Sequence, residues 1–145
     1  MKADSDAPAT IALRAVAPLL AASALGEFVV GVALAIFPAA IMGFLLGGVP
    51  VEGTAAIVTR LAGIAIAALG LAWWADRGLF DKHRLRRVAG GFLVYNVGVG
   101  LLFLVYAWTA DRLLLVPWVV AAAHLLVGGA FIAALTRLPP AAEPR

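Results

Sequence analysis

Charge is confined to a few short stretches of this chain, and the gaps between them constrain its fold more than any other feature. Between Arg14 and Arg60 the only charged residues are Glu27 and Glu52, and segments 61–75, 88–110 and 113–136 carry none. A helix needs about 20 apolar residues to cross the roughly 30 Å of bilayer hydrocarbon. These intervals predict four helices, at 12–37, 55–75, 88–109 and 113–136. None alternates strictly between apolar and polar residues, which disfavours a β-barrel. Backbone groups in lipid must then be satisfied within each segment, and helices do this.

Composition supports the same class. Of 145 residues, 64% are hydrophobic and 13% are charged, about half the charge of an ordinary soluble domain. A net charge of +3 spread over 11 basic residues is too small and scattered for a phosphate footprint, so nucleic acid is not an expected partner. The absence of cysteine rules out disulfides, thiolate-held zinc, iron–sulfur clusters and thiol catalysis.

The first span has two readings. The apolar stretch continues from Phe28 to Val51 with Pro38 inside it. Either helix 1 ends near Phe37 and 38–48 forms a short interfacial segment, or the span starts near Phe28 and 9–26 lies on the surface. The first is preferred, because 9–26 holds a single basic residue and no polar face. The motif Ala22-Ser23-Ala24 has the small residues of a signal-cleavage site, but the chain stays hydrophobic well beyond it, as an uncleaved anchor does.

With four spans, both termini share a side with the basic loop at 76–87. That side carries Lys2, Arg14, Arg77, Lys82, Arg84, Arg86, Arg87, Arg137 and Arg145, against Arg60 and Arg112 on the other. The positive-inside rule therefore predicts cytoplasmic termini, with 137–145 a flexible tail. Trp73, Trp74, Trp108 and Trp118 fall near span ends, as interfacial anchors do. The preference for arginine, alanine, glycine and leucine suggests a GC-rich bacterial genome, hence a bacterial inner membrane. The expected fold is an all-α four-helix transmembrane bundle in one domain. Segment 26–30 resembles 90–94, and Arg60-Leu61 matches His124-Leu125 at the same offset, which raises a parallel repeat of two helical hairpins.

Small residues recur four apart at Gly31/Ala35, Gly63/Ala67, Asn96/Gly100 and Gly129/Ala133, a spacing that lets helix backbones approach in lipid. The polar residues inside spans are more informative. Glu27, Tyr95, Asn96 and His124 fall near one depth, with Arg60 nearer the outer end of helix 2. A charged residue at a span centre costs about 2.5–3.5 kcal/mol, while each Leu, Ile, Phe or Val returns about 0.3–0.6 kcal/mol. Residues 18–37 contain ten of those four types, so helix 1 inserts with Glu27 by a thin margin, and a Glu27–Arg60 pair completed by Asn96 or His124 is expected to relieve the cost. The cluster reads either as a clasp fixing helix register or as a site for a ligand or proton. No catalytic constellation appears, and one intramembrane histidine is too few for a bis-histidine haem within the chain. The expected role is a non-enzymatic accessory or oligomeric subunit, alone or with another membrane protein. The alternative is a binder or carrier of a small amphiphile, such as a quinone or lipid, or a redox-associated subunit.

A frame of short motifs runs through the chain. Gly26-x4-Gly31 leads to Phe37-Pro38, and Thr59-Arg60-Leu61-Ala62-Gly63 leads to Leu69-Gly70-Leu71-Ala72-Trp73-Trp74. Tyr95-Asn96 and Ala123-His124-Leu125 complete it. This frame resembles a group of small bacterial four-helix membrane proteins likened to the DoxX family, whose name derives from a subunit of quinone-linked oxidation. The resemblance implies the fold far more than an activity, and places Arg60 and His124 at the group's recognisable polar positions.

Overall fold

The computed structural model describes residues 7–76, 82–110 and 113–137. Five helices follow in order: α1 (Ala7–Ile36), α2 (Pro38–Leu45), α3 (Gly53–Asp76), α4 (Lys82–Thr109) and α5 (Leu115–Thr136). Four contain segments long and apolar enough to cross a membrane: Val16–Ile36, Gly53–Trp74, Leu85–Thr109 and Leu115–Thr136. The all-α four-span bundle is thus present.

The chain breaks at Pro38 and runs unbroken through Pro18 of α1. Pro38 has no N–H for the carbonyl of Leu34, so α1 stops at Ile36 and α2 restarts with Pro38 in its first turn. α1 is one continuous helix across 9–26, and its membrane-length apolar segment begins at Val16. α2 ends in a Schellman-type cap: Gly48 N–H donates to Gly43 O at 2.6 Å, and Gly47 takes φ +70°, a conformation glycine adopts without strain. The expected basic loop at 76–87 is shorter than its charges suggested. Asp76 closes α3, and 82–87 form the first turns of α4, because arginines and lysines outside the apolar stretch are still good helix formers. Residues 77–81, and the tail from 138 onward, lie outside the described residues.

Helix packing divides the molecule into two hairpins, α1/α3 and α4/α5, joined mainly through α1. The α1/α3 seam brings backbone against backbone. A Cβ built on Gly31 would lie 2.6 Å from Gly63 O and still closer to Ala67 N, and one on Gly63 would lie 2.6 Å from Ala35 N. The two small-residue pairs at Gly31/Ala35 and Gly63/Ala67 therefore face each other. On α5 the glycine at the interface is Gly128, packed on Val97, while Gly129 faces open space.

The interior is uneven along its length. Val16, Leu20 and Ala24 of α1, Trp73 of α3, Leu85, Ala89 and Phe92 of α4, and Phe131 and Ala134 of α5 form one packed core. These residues come from the half of the bundle nearest the chain termini. Trp73 is only 7% exposed there, so it serves as a core residue rather than an interfacial anchor, with Trp74 edge-on at 5.1 Å. Trp108 and Trp118 also meet edge-on, at 6.4 Å, and Trp108 projects outward. The opposite half, roofed by α2, is hollow.

Candidate functional site

At the junction of the packed and hollow halves lie two buried polar side chains, Glu27 at 6% and Asn96 at 2% exposure. Each holds a second residue. The Tyr95 side chain pairs with that of Glu27. Asn96 Nδ2 donates to Phe92 O at 2.8 Å, and Asn96 Oδ1 lies 2.9 Å from His124 Nδ1. The rings of Tyr95 and His124 meet edge-on with centroids 6.0 Å apart. Four of the five residues expected to gather are thus brought together.

The histidine tautomer follows from this chain of bonds. The Phe92 carbonyl can only accept, so the amide nitrogen of Asn96 must face it and the amide oxygen must face His124. An oxygen acceptor requires a proton on Nδ1. In a neutral ring, Nε2 is then left with its lone pair.

Tyr95 and His124 line a cavity of about 490 Å³, within the usual size range for small-molecule sites. Its other walls are almost wholly apolar. They include Val30 and Leu34 of α1, Met42 and Leu45 of α2 with Leu46 just after it, Ala62 and Ile66 of α3, Val99 and Phe103 of α4, and Val120 of α5. Glu27 and Asn96 stand behind this lining and orient the groups that face it. α3 and α4 flank the cavity yet hardly touch each other among the described residues. Val58 of α3 and Leu102 of α4, both lining residues, are 58% and 67% exposed. The gap between these helices is therefore a lateral mouth with apolar lips. Tyr106, also in the wall, donates to Leu46 O at 2.9 Å and ties α2 to α4 as a roof. Sequence reasoning missed Tyr106 and Thr59 as lining residues. Their only signal was a polar group inside an apolar span.

Arg60 is elsewhere. Its guanidinium donates to the carbonyls of Ala35 and, at 3.3 Å, Ile36. Ala35 is eight residues beyond Glu27, about 12 Å along the helix, and the expected Glu27–Arg60 pair is not formed. The physical reason lies in the break at Pro38. The last carbonyls of α1 lose their helical donors there, and a cation at a helix C-terminus meets both the hydrogen-bonding need and the helix dipole. Arg60→Gln is expected to lower detergent stability by about 1.5–3 kcal/mol, the range for hydrogen bonds from charged groups. Glu27→Gln should cost separately. Thermal unfolding of the single and double variants should show losses that add within about 0.5 kcal/mol, and a larger coupling would restore the pair.

Four membrane-length apolar helices around a half-hollow interior define a multi-pass α-helical membrane protein. Its distinguishing feature is a ligand-sized cavity floored by a tyrosine and a histidine. No family model, curated protein or solved structure matches the chain.

Proposed function

We propose that this protein binds a small amphiphile drawn sideways from the bilayer, holding its apolar body between the two hairpins and its head at Tyr95 and His124. The observation that carries this reading is the 490 Å³ cavity at the depth of the polar cluster. A filled interior there would have favoured a clasp that only fixes helix register. Apolar walls with a few convergent polar groups are the usual make-up of a small-molecule site, and the lips at Val58 and Leu102 open towards lipid rather than water. Quinones and lipids both fit this description, and the resemblance to DoxX-like proteins agrees with it. The reading places the chain in a bacterial inner membrane with both termini cytoplasmic, which a reporter fused after Arg145 checks directly.

The test is to fill the site. Ala62 lines the cavity and is exposed, so a larger side chain there is expected to occupy it. Native mass spectrometry of the purified chain is expected to show a bound amphiphile that Ala62→Trp displaces, with the helical content unchanged. Equal retention by both proteins would reject the cavity as the binding site.

A further inference from the structure

The polar groups of the cavity share one property: each is already engaged by the protein, and three of the four give it a proton. Four polar side chains are in the lining, namely Thr59, Tyr95, Tyr106 and His124. Thr59 Oγ1 donates to Ala55 O at 2.9 Å, and Tyr106 donates to Leu46 O at 2.9 Å. Tyr95 pairs with Glu27. His124 donates from Nδ1 to Asn96 Oδ1 at 2.9 Å. Hydroxyl oxygens and a neutral imidazole retain lone pairs after donating once, so what remains for an occupant is acceptor capacity. The nearest cation in the sequence of α3, Arg60, is not among the residues lining the cavity, and its Nη1 donates to the α1 carbonyls.

We infer that the occupant carries a neutral hydrogen-bond donor, a hydroxyl on an apolar body, and that His124 Nε2 is its principal acceptor. The inference rests on the amphiphile-binding reading above and narrows it. A carboxylate or phosphate head would bring negative charge against lone pairs in apolar surroundings, with no lysine or arginine among the lining residues to meet it. A quinone, whose ring oxygens only accept, meets the same mismatch, while its hydroquinone does not. Fixing Nδ1 as the protonated nitrogen is thus the specific task of Asn96, as a partner fixes the tautomer of a catalytic or metal-bound histidine.

The experiment compares matched heads on the unaltered full-length chain in micelles, by competition in native mass spectrometry. Hexadecanol, its methyl ether and hexadecanoate share a tail, and the ether is neutral but accepts only. Decyl hydroquinone and decyl quinone form a second pair. Hexadecanol is expected to bind about tenfold tighter than the ether, the range of one well-made hydrogen bond against an unpaired acceptor, and tighter still than hexadecanoate. The hydroquinone should exceed its quinone similarly, and the tighter of hexadecanol and hydroquinone identifies which hydroxyl source the walls fit. His124→Phe is expected to bring the alcohol-to-ether ratio close to one. Equal binding of alcohol and ether, or tighter binding of the quinone or the acid, would overturn the donor inference while leaving the cavity reading intact. Failure of every probe to bind would overturn both.

Discussion

Gly31→Val is expected to part α1 from α3 and to lower the unfolding free energy by about 3 kcal/mol, the upper end of the overpacking range. The reason is what the new methyls would meet. Around Gly31 the obstacles are Ala67 N and Cα and Gly63 O, which are backbone atoms of a neighbouring helix. A side chain can rotate away from a clash, but a backbone can yield only by moving the whole helix. In lipid little drives the two helices back together, since apolar contacts with the acyl chains replace those lost. Gly63→Val should behave alike, because its neighbours are Ala35 N and Gly31 O at 2.6 Å each. Gly98→Val and Gly129→Val make the controls, since nothing lies within 4 Å of a Cβ at either. Thermal unfolding in a mild detergent should place both controls within about 0.5 kcal/mol of the parent. If Gly31→Val melted with the controls, the close seam between α1 and α3 would be wrong.

Asn96→Leu carries the second large effect, on stability and on binding together. The substitution keeps a similar volume but removes both bonds of a residue that is 2% exposed. His124 Nδ1 loses the acceptor at 2.9 Å, and a buried donor left alone costs about 1–3 kcal/mol. The ring is then free to carry its proton on either nitrogen. Two readouts follow: a melting temperature below the parent's, and nitrogen NMR of labelled histidine showing Nδ1–H in the parent and a mixture in the variant. A parent spectrum dominated by Nε2–H would contradict the Asn96–His124 arrangement.

The spans were legible because lipid leaves few alternatives. A nearly charge-free run of that length has to be a helix, and α1 ends at Ile36, beside the expected end near Phe37, with Pro38 opening α2. Depth was legible too, since counting residues places Glu27, Tyr95, Asn96 and His124 at one level. Azimuth was not. All-round hydrophobic helices have no polar face to show which side looks inward, and two readings failed for that reason. Trp73 was placed at the interface although it turns into the core. Gly129 was chosen over Gly128, one position and about 100° away on a helix of 3.6 residues per turn. The Glu27–Arg60 pairing failed along the helix axis instead, because Arg60 meets the orphaned carbonyls of Ala35 and Ile36, about 12 Å from Glu27. The cavity was illegible for a different reason: empty volume is a property of how helices splay, and no residue encodes it.

Ala35 and Ile36 draw their donors from Arg60, which lies 25 and 24 residues further along the chain. A growing polypeptide therefore presents the end of α1 to the membrane before the group that completes it has been made. Until α3 arrives beside it, those carbonyls have only headgroups or water to turn to. The smallest piece of this protein that satisfies its own backbone at that point is a hairpin and not a helix, so biogenesis is expected to commit α1 and α3 to the bilayer as a pair.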